Sequence, residues 1–232
     1  MKVMGLIGGM SWESTAIYYR LINQGVNARL GGHHSAKLLL HSVDFAEIEH
    51  LQKTNQWSAA GALLGEAARS LQTAGAEFIV LTANTMHKVA PDIERAISIP
   101  LLHIADPTGD AIKDAHIQTV GLLGTRFTME QEFYVERLRE KHGLNVLTPS
   151  ERDRETVHSV IYDELTHGKV LDSSREAYLQ IIDRLIAAGA QGIILGCTEI
   201  PMLIKREMLT VPCFDTAEWH ARRAVDYCLE DV

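Results

Sequence analysis

The stretch that decides the fold is Ala188-Gly189-Ala190-Gln191-Gly192-Ile193-Ile194-Leu195-Gly196-Cys197-Thr198-Glu199. Its first glycine closes an apolar helix, and the residues from Gly192 to Leu195 have the length and isoleucine content of a buried parallel strand. Cys197 is therefore expected just past the carboxyl end of a central strand, where open α/β sheets bind their ligands. Because the amino end of a following helix favours a thiolate, the sequence predicts a thiol of lowered pKa at Cys197.

The same pattern occurs a second time, without a gap, in the first part of the chain. The matching stretch is Ala74-Gly75-Ala76-Glu77-Phe78-Ile79-Val80-Leu81-Thr82-Ala83-Asn84-Thr85. In this alignment Ala83 corresponds to Cys197. The similarity extends to further segments, in which Gly5-Leu6-Ile7-Gly8 matches Gly121-Leu122-Leu123-Gly124 and Ile99-Pro100-Leu101-Leu102 matches Val211-Pro212-Cys213-Phe214.

The duplication predicts an α/β protein with two flavodoxin-like domains related by a pseudo-twofold axis. Each domain should contain a mostly parallel sheet flanked by helices. Residues 1–115 plus 211–232 are expected to form the first domain, and residues 116–210 the second. The active site is expected in the cleft between them, with Ala83 and Cys197 facing each other.

The composition is that of an ordinary globular protein of 232 residues with a formal net charge of −8. This charge and the lack of a polybasic run argue against nucleic acid and anionic membranes as partners. No apolar stretch approaches the ~20 residues that span a membrane. The three cysteines have no paired spacing, and the amino terminus is typical of a strand rather than a signal peptide. We therefore expect a protein of the reducing cytoplasm.

Patterns typical of a metal site or a serine nucleophile are missing from the sequence. His33 and His34 are adjacent, which points their rings apart in any regular element, and no His-x-x-x-His or Cys-x-x-Cys pair occurs. We therefore expect no metal. His87 follows the first copy of the repeated turn, and its residue type is compatible with a structural hydrogen bond or with a direct part in the chemistry.

Cys197 is the strongest acid/base candidate in the sequence. A thiol of lowered pKa can act as a general base at neutral pH. Two such groups on opposite faces of one bound carbon suit racemisation, in which one group removes a proton and the other returns a proton to the opposite face. The duplication places positions 83 and 197 in that relation.

Three segments carry a resemblance to the aspartate/glutamate racemase family, namely Gly8-Gly9-Met10-Ser11-Trp12-Glu13-Ser14, Asn84-Thr85-Met86-His87 and Leu195-Gly196-Cys197-Thr198-Glu199. The resemblance covers essentially the whole chain. It implies an amino-acid racemase that needs no pyridoxal phosphate or other cofactor, that has two similar α/β domains and that forms a homodimer. In such enzymes a cysteine from each half flanks the substrate carbon.

The resemblance also implies how the substrate, L-aspartate or L-glutamate, is bound. Asn84, Thr85 and Thr198 match the positions that hold the α-carboxylate, while Met10 and Thr125 match the flanking loops. The distal carboxylate needs a further donor, for which we expect Lys169 and Gln52. Gln52 lies in a segment that we expect to cover the site.

Ala83 departs from the family pattern at the decisive position, which normally carries a cysteine or another thiol or hydroxyl residue. Alanine has no ionisable proton, so we expect the two-base cycle to be impaired. Two explanations fit: a substitution engineered to stop turnover, which we favour because the rest of the motif is unaltered, or a natural enzyme with one base. The alternatives are a single-cysteine decarboxylase or isomerase of the same superfamily and a non-catalytic binder of acidic amino acids.

Overall fold

A computed structural model describes residues 1–230 and 232, and the chain divides into two compact units. The first unit comprises Met1–His103 and His220–Val232, and the second comprises Ile104–Trp219. Each unit contains a four-stranded sheet in which all the paired strands are parallel. The predicted α/β fold with two helix-flanked parallel sheets is thereby confirmed.

The sheet of the first unit has the strand order β2-β1-β3-β4. Its elements in chain order are β1 (Met4–Gly8), α1 (Trp12–Leu30), β2 (Leu38–Ser42), α2 (Phe45–Lys53), α3 (Trp57–Thr73), β3 (Phe78–Leu81), a 3-10 turn (Thr85–Val89), α4 (Ala90–Ala96) and β4 (Leu101–Leu102). The central strands β1 and β3 are buried along their whole length. Their polar loops therefore begin only at the carboxyl edge of the sheet.

The sheet of the second unit repeats this arrangement with the order β6-β5-β7-β8. Its elements are α5 (Ala105–Asp114), β5 (Thr119–Gly124), α6 (Arg126–Glu130), α7 (Glu132–His142), β6 (Asn145–Leu147), α8 (Glu151–Asp163), a 3-10 turn (Leu165–His167), α9 (Asp172–Ala187), β7 (Gly192–Gly196), α10 (Ile200–Leu203), a 3-10 turn (Arg206–Met208), β8 (Cys213–Asp215) and the start of α11 (Thr216–Leu229). The strand β7, which lies within the repeated stretch at residues 188–199, is central and fully buried.

The repeated glycine of β1 and β5 has the same structural reason in both units. A Cβ added at Gly5 would lie 2.8 Å from Cδ1 of Ile79, and one added at Gly121 would lie 2.8 Å from Cδ1 of Ile193. Contacts this short force a neighbour to move, and the helices packed on these strands are also close, with Cβ of Leu71 in α3 and Cβ of Leu185 in α9 each 3.2 Å from the added Cβ. The matching glycines of the two halves, Gly5 and Gly121, are thus explained by the same packing constraint.

The division into units differs from the predicted domain boundaries at the helices that follow the last strand of each sheet, namely α5 and α11. The helix α5 follows β4 but packs on α7 in the second unit, where Asp106 accepts two hydrogen bonds from Arg137 at 2.7 and 2.8 Å. The helix α11 follows β8, and from His220 onward it belongs to the first unit. The strand β8 pairs with β7, so residues 213–215 lie in the second sheet. The sequence analysis had assigned these residues to the first domain.

Candidate functional site

The loops at the carboxyl edge of the first sheet contain a cluster of buried residues. Met10 follows β1, while Ala83 and Asn84 follow β3, and all three are buried. The Ser14 hydroxyl at the start of α1 donates to the carbonyl of Thr82 at 3.2 Å, which links the two loops. The structure therefore holds the Met10 loop and the Ala83 loop of the first unit together.

Gln52 joins the first-unit cluster through Met86. It lies on the buried side of α2, and its side-chain amide nitrogen is 3.0 Å from the Met86 sulfur. Met86 belongs to the 3-10 turn that begins at Thr85, itself buried. The segment that we expected to cover the site is thus the helix α2, and it packs against the turn that carries Thr85.

The hydroxyl next to Ala83 is occupied in the interior of the first unit. Thr82 is fully buried, and its Oγ1 donates to the carbonyl of Ile7 at 3.1 Å and lies 3.5 Å from Oγ1 of Thr15. The Thr82 hydroxyl links β3 to β1 by this hydrogen bond, so it does not point into the loop beyond the end of β3. Position 83 itself carries only a methyl group, so this turn offers no proton of its own at that position.

His87 has a structural role in the first unit. Its Nδ1 lies 2.8 Å from the carbonyl oxygen of Ala83, and a carbonyl only accepts, so Nδ1 carries the proton. The ring packs edge-on against His103 and His220, with centroid separations of 4.5 and 5.9 Å. The contact with Ala83 closes the turn after β3, so His87 makes a structural hydrogen bond of the kind that the sequence allowed.

The same logic defines the protonation of His220. Its Nε2 lies 2.8 Å from the carbonyl oxygen of Leu102 and must donate to it, so Nδ1 of the neutral ring accepts the Tyr18 hydroxyl at 2.9 Å. The neutral imidazole is satisfied at both nitrogens. Tyr18 and His220 therefore tie α11 to α1 and β4 inside the first unit.

The candidate site of the second unit centres on Cys197, one residue past the end of β7. The side chain is 7% exposed, and Sγ donates to Oε2 of Glu199 at 3.0 Å. The Thr198 hydroxyl donates to the same oxygen at 2.8 Å, and Glu199 is 4% exposed. A thiol, a hydroxyl and a carboxylate thus form one buried, hydrogen-bonded group.

The electrostatics of Cys197 are the reverse of what the sequence predicted. Burial and the neighbouring Glu199 carboxylate raise the pKa of the thiol well above its usual range. The backbone N–H groups of Thr198 and Glu199 act in the opposite direction but are outweighed. The prediction of a lowered pKa is wrong because it considered the helix start alone, and neither the burial of the thiol, which is the largest effect, nor the acidic side chain at that start. Cys197 rests as a thiol.

Thr125 lies beside Cys197 along the edge of the second sheet. The last residues of β5 and β7, Gly124 and Gly196, are paired, and Thr125 and Cys197 directly follow them. Thr125 is the amino-terminal cap of α6 and accepts from the backbone N–H of Thr128 at 3.3 Å. Thr125 therefore has a structural role as the cap of α6 in addition to its place beside Cys197.

Lys169 is exposed in the turn after the 3-10 segment Leu165–His167. Gly168 ends that segment with a φ of 69°, and the backbone N–H of Lys169 donates to the carbonyl of Glu164 at 3.0 Å. The 3-10 segment packs against α10, which begins right after Glu199. Within residues 1–230 the Lys169 ammonium forms no ion pair, so its charge is available to an anion.

Glu199 is a candidate site residue for which the sequence analysis predicted no role, although it lies in the repeated stretch. The available signal was an acidic residue two positions after a candidate nucleophile. Tyr178 is a second buried residue of this unit, and burial is the main cause that raises the pKa of its hydroxyl well above the usual range. Its hydroxyl donates to the carbonyl of Val157 at 2.8 Å, which gives it a structural role.

Other kinds of site are not found in the described part of the chain. No group of three or more histidine, cysteine, aspartate or glutamate residues there could hold a metal ion. None of its helices is both long and apolar enough to cross a membrane. A cavity of about 620 Å³ in the second unit lies between the start of α8 and the end of α9, and none of the predicted site residues lines it.

Comparison with known proteins identifies similar sequences and structures. The sequence model of the Asp/Glu/Hydantoin racemase family matches residues 7–224. A crystal structure from Yersinia pestis, provisionally described as an Asp/Glu racemase, is 58% identical, with 99% of this chain and 100% of that chain covered and a TM-score of 0.92. The structure of an aspartate racemase homologue from Pyrococcus horikoshii OT3 is 33% identical, with 99% and 100% covered and a TM-score of 0.83. The broad specificity amino-acid racemase RacX of Bacillus subtilis is 23% identical over 167 residues, which cover 69% of this chain and 68% of RacX.

Proposed function

Because the chain belongs to the Asp/Glu/Hydantoin racemase family, we propose that it exchanges the α-proton of aspartate or glutamate through Cys197, without pyridoxal phosphate. The observation that carries this proposal is the buried thiol at the carboxyl end of the central strand β7, hydrogen-bonded to a carboxylate. Once this thiol has lost its own proton, the thiolate can take a proton from carbon and give it back.

The proposed activity is limited by Ala83. A racemase needs a proton donor on the face opposite the base, and the methyl group at position 83 supplies none. The adjacent Thr82 hydroxyl is bound to the carbonyl of Ile7 and does not replace it. The chain is therefore expected to remove and return the α-proton on one face, with very slow inversion. By family resemblance, that face belongs to the L-enantiomer.

Recognition of the substrate is proposed to use neutral donors around the α-carboxylate and one cation at the distal carboxylate. Backbone N–H groups at the starts of the short helices after β3 and β7 suit an anion. The residues proposed for the α-carboxylate and its surroundings are Asn84, Thr85, Thr198, Met10 and Thr125. Lys169 and Gln52 are proposed for the distal carboxylate.

The experiment that tests the proposal is α-deuteration in deuterated water, followed by proton NMR and chiral chromatography. L-aspartate or L-glutamate should gain α-deuterium with retained configuration, and the D-enantiomers should gain far less. Cys197→Ala should abolish the exchange, while Cys213→Ala, which removes another buried thiol of the second unit, should not. Exchange that survives in Cys197→Ala, or racemisation at full enzymatic speed by the unaltered chain, would contradict the assignment.

A single-base reaction such as decarboxylation is the second candidate, and Ala83 is the observation that favours it. One cysteine can protonate one face of a carbanion that forms when CO₂ leaves. A substrate analogue with a second carboxylate in place of the α-hydrogen should then release CO₂ in a Cys197-dependent manner. A non-catalytic binder would instead show ligand protection of Cys197 from alkylation without either exchange or CO₂ release.

The assembly and location implied by the family resemblance are part of the same proposal. We propose a homodimer in the cytoplasm, where the three free cysteines would stay reduced. Light scattering after size-exclusion chromatography should give twice the chain mass of 25.8 kDa. A mass of one chain would remove the dimer from the proposal.

A further inference from the structure

Building on the proposed function, we propose that Glu199 is the positioning residue of Cys197, whose carboxylate takes the thiol proton when Cys197 becomes a base and returns it afterwards. The starting point is the hydrogen bond between Cys197 and Glu199, in which the proposed function gives Glu199 no part in the proton transfer. The Cys197 Sγ–H donates to Oε2 of Glu199 at 3.0 Å, and the Thr198 hydroxyl donates to the same oxygen at 2.8 Å. Two donors on one oxygen hold the carboxylate towards the thiol.

Charge explains why the thiol needs this partner. Glu199 is 4% exposed, so loss of the thiol proton to solvent would leave two negative charges side by side in a buried place. Transfer of the proton from Cys197 to Glu199 keeps a single negative charge and only moves it from oxygen to sulfur. This route forms the base without the cost of a second buried charge.

The proton and electron pairs balance in each step. The S–H bond of Cys197 breaks, its electron pair stays on sulfur, and the proton forms an O–H bond at Oε2 of Glu199. The thiolate then takes the α-proton, an S–H bond forms, and the electron pair of the C–H bond stays on the α-carbon. Return of the proton to carbon regenerates the thiolate, and the Glu199 proton returns to sulfur.

The duplicated turn gives an independent reason to connect the two residues. Aligned without gaps, Ala83 corresponds to Cys197 and Thr85 corresponds to Glu199. The turn that lacks the thiol also lacks the carboxylate, although the strands before both turns are alike. A carboxylate needed only to build the turn would be expected in both copies.

The decisive variant is Glu199→Gln, which keeps the size and the hydrogen-bond acceptor but removes the charge. We would measure two quantities on each protein: the pH dependence of Cys197 alkylation by iodoacetamide, read by peptide mass spectrometry, and the rate of α-deuteration of L-aspartate. In Glu199→Gln the alkylation midpoint should move to lower pH, because the neighbouring negative charge is gone. The exchange rate should nevertheless fall ~100-fold, because the thiol proton has lost its acceptor.

Two further variants complete the design. Glu199→Asp retains a carboxylate one methylene shorter and should keep measurable exchange, which covers the case in which the glutamine variant does not fold. Glu207→Gln, an exposed glutamate of the second unit, is the matched control and should change neither quantity. A purely structural role for Glu199 would lower the unfolding temperature and the exchange rate of Glu199→Gln without moving the alkylation midpoint to lower pH.

The outcomes separate this inference from the proposed function. An unchanged or raised alkylation midpoint in Glu199→Gln, or exchange within twofold of the unaltered chain, would overturn the role of Glu199. If the unaltered chain itself shows no exchange, the proposed function fails, and the alkylation midpoints still decide whether Glu199 controls the thiol.

Discussion

The turns after β3 and β7 occupy the same place in two sheets of the same order, and they differ in the side chains that carry chemistry. The turn of the first unit has Ala83 and Thr85, whereas the turn of the second has Cys197 and Glu199. The backbone frame is thus duplicated and the acid/base pair is not. The comparison teaches that two turns can keep one backbone frame while only one of them carries a thiol and a carboxylate.

The difference continues along the neighbouring strands. The residue that follows β4 is His103, and the residue at the same register of β8 is Asp215. At this register the first unit has a buried imidazole, and the second has a carboxyl group. The two halves have therefore diverged in charge around a common edge of the sheet.

The largest expected effect comes from giving the first turn a proton donor. Ala83→Cys or Ala83→Thr should raise aspartate or glutamate racemisation by ~10²–10⁴-fold, which is the usual contribution of a positioned acid or base. Polarimetry or chiral chromatography would follow the inversion. Ala83→Val is the matched control, because it adds the volume of threonine without a proton. A gain in the valine variant, or none in the cysteine and threonine variants, would contradict the role of position 83.

The charge difference between the units predicts a pH dependence of stability. Burial raises the pKa of Asp215 from 3.8 to about 6, while its carboxylate accepts from the backbone N–H groups of Ala217 and Glu218 at the start of α11. The folded state holds this proton more tightly, so the free energy of unfolding should fall as pH rises from about 4 to about 6. The full loss would be about 3 kcal/mol.

Asp215→Asn tests this pH dependence. Asparagine also caps helices, so it should keep the start of α11 while removing the charge. Urea unfolding should show the variant to be more stable than the unaltered chain at pH 7 and nearly equal to it at pH 3.5. The exposed Asp114→Asn in α5 is the control. A difference that stays constant between the two pH values would show that ionisation of Asp215 is not the cause.

The packing shared by the two units can be tested at their matched glycines. Gly5→Ala and Gly121→Ala each place a Cβ 2.8 Å from an isoleucine Cδ1, and such overpacking costs about 2 kcal/mol. Both variants should therefore lower the unfolding free energy by similar amounts in urea. A large loss in one variant and none in the other would break the structural equivalence of the halves.

The two parallel sheets and the position of Cys197 could be predicted from the sequence. Strand length, glycine spacing and the ungapped repeat can all be seen directly in the order of the residues. The sequence analysis assigned residues 1–115 and 211–232 to the first domain because order along the chain does not show with which strand β8 pairs or in which unit α5 packs. The repeat contained the missing information about the helices. The helix α11 follows the last strand of the second sheet and belongs to the first unit from His220 onward, and its counterpart α5 follows the last strand of the first sheet and belongs to the second unit. The predicted approach of Ala83 to Cys197 stays a prediction.

The raised pKa of Cys197 could not be predicted in the same way. Spacing put an acidic residue at a helix start, where it could equally have pointed to solvent. Only the side-chain conformation brings Oε2 of Glu199 to 3.0 Å from the Cys197 sulfur. The sign of the electrostatic effect therefore depends on a contact, not on a pattern.

The smallest effect that we predict concerns substrate binding, in which the first unit is proposed to supply neutral donors and the second a cation. Each charge-assisted contact contributes ~1.5–3 kcal/mol, so Lys169→Met should weaken L-aspartate or L-glutamate binding at least tenfold, or about 1.4 kcal/mol. Isothermal titration calorimetry would measure the Kd, with Lys113→Met in α5 as an exposed control of equal charge change. Equal weakening by both variants would indicate a general effect of net charge, and an unchanged Kd in Lys169→Met would remove Lys169 from the site. If Lys169 binds the distal carboxylate, its loss should not impair L-alanine, which lacks that group, and the two substrates together locate the cation along the ligand.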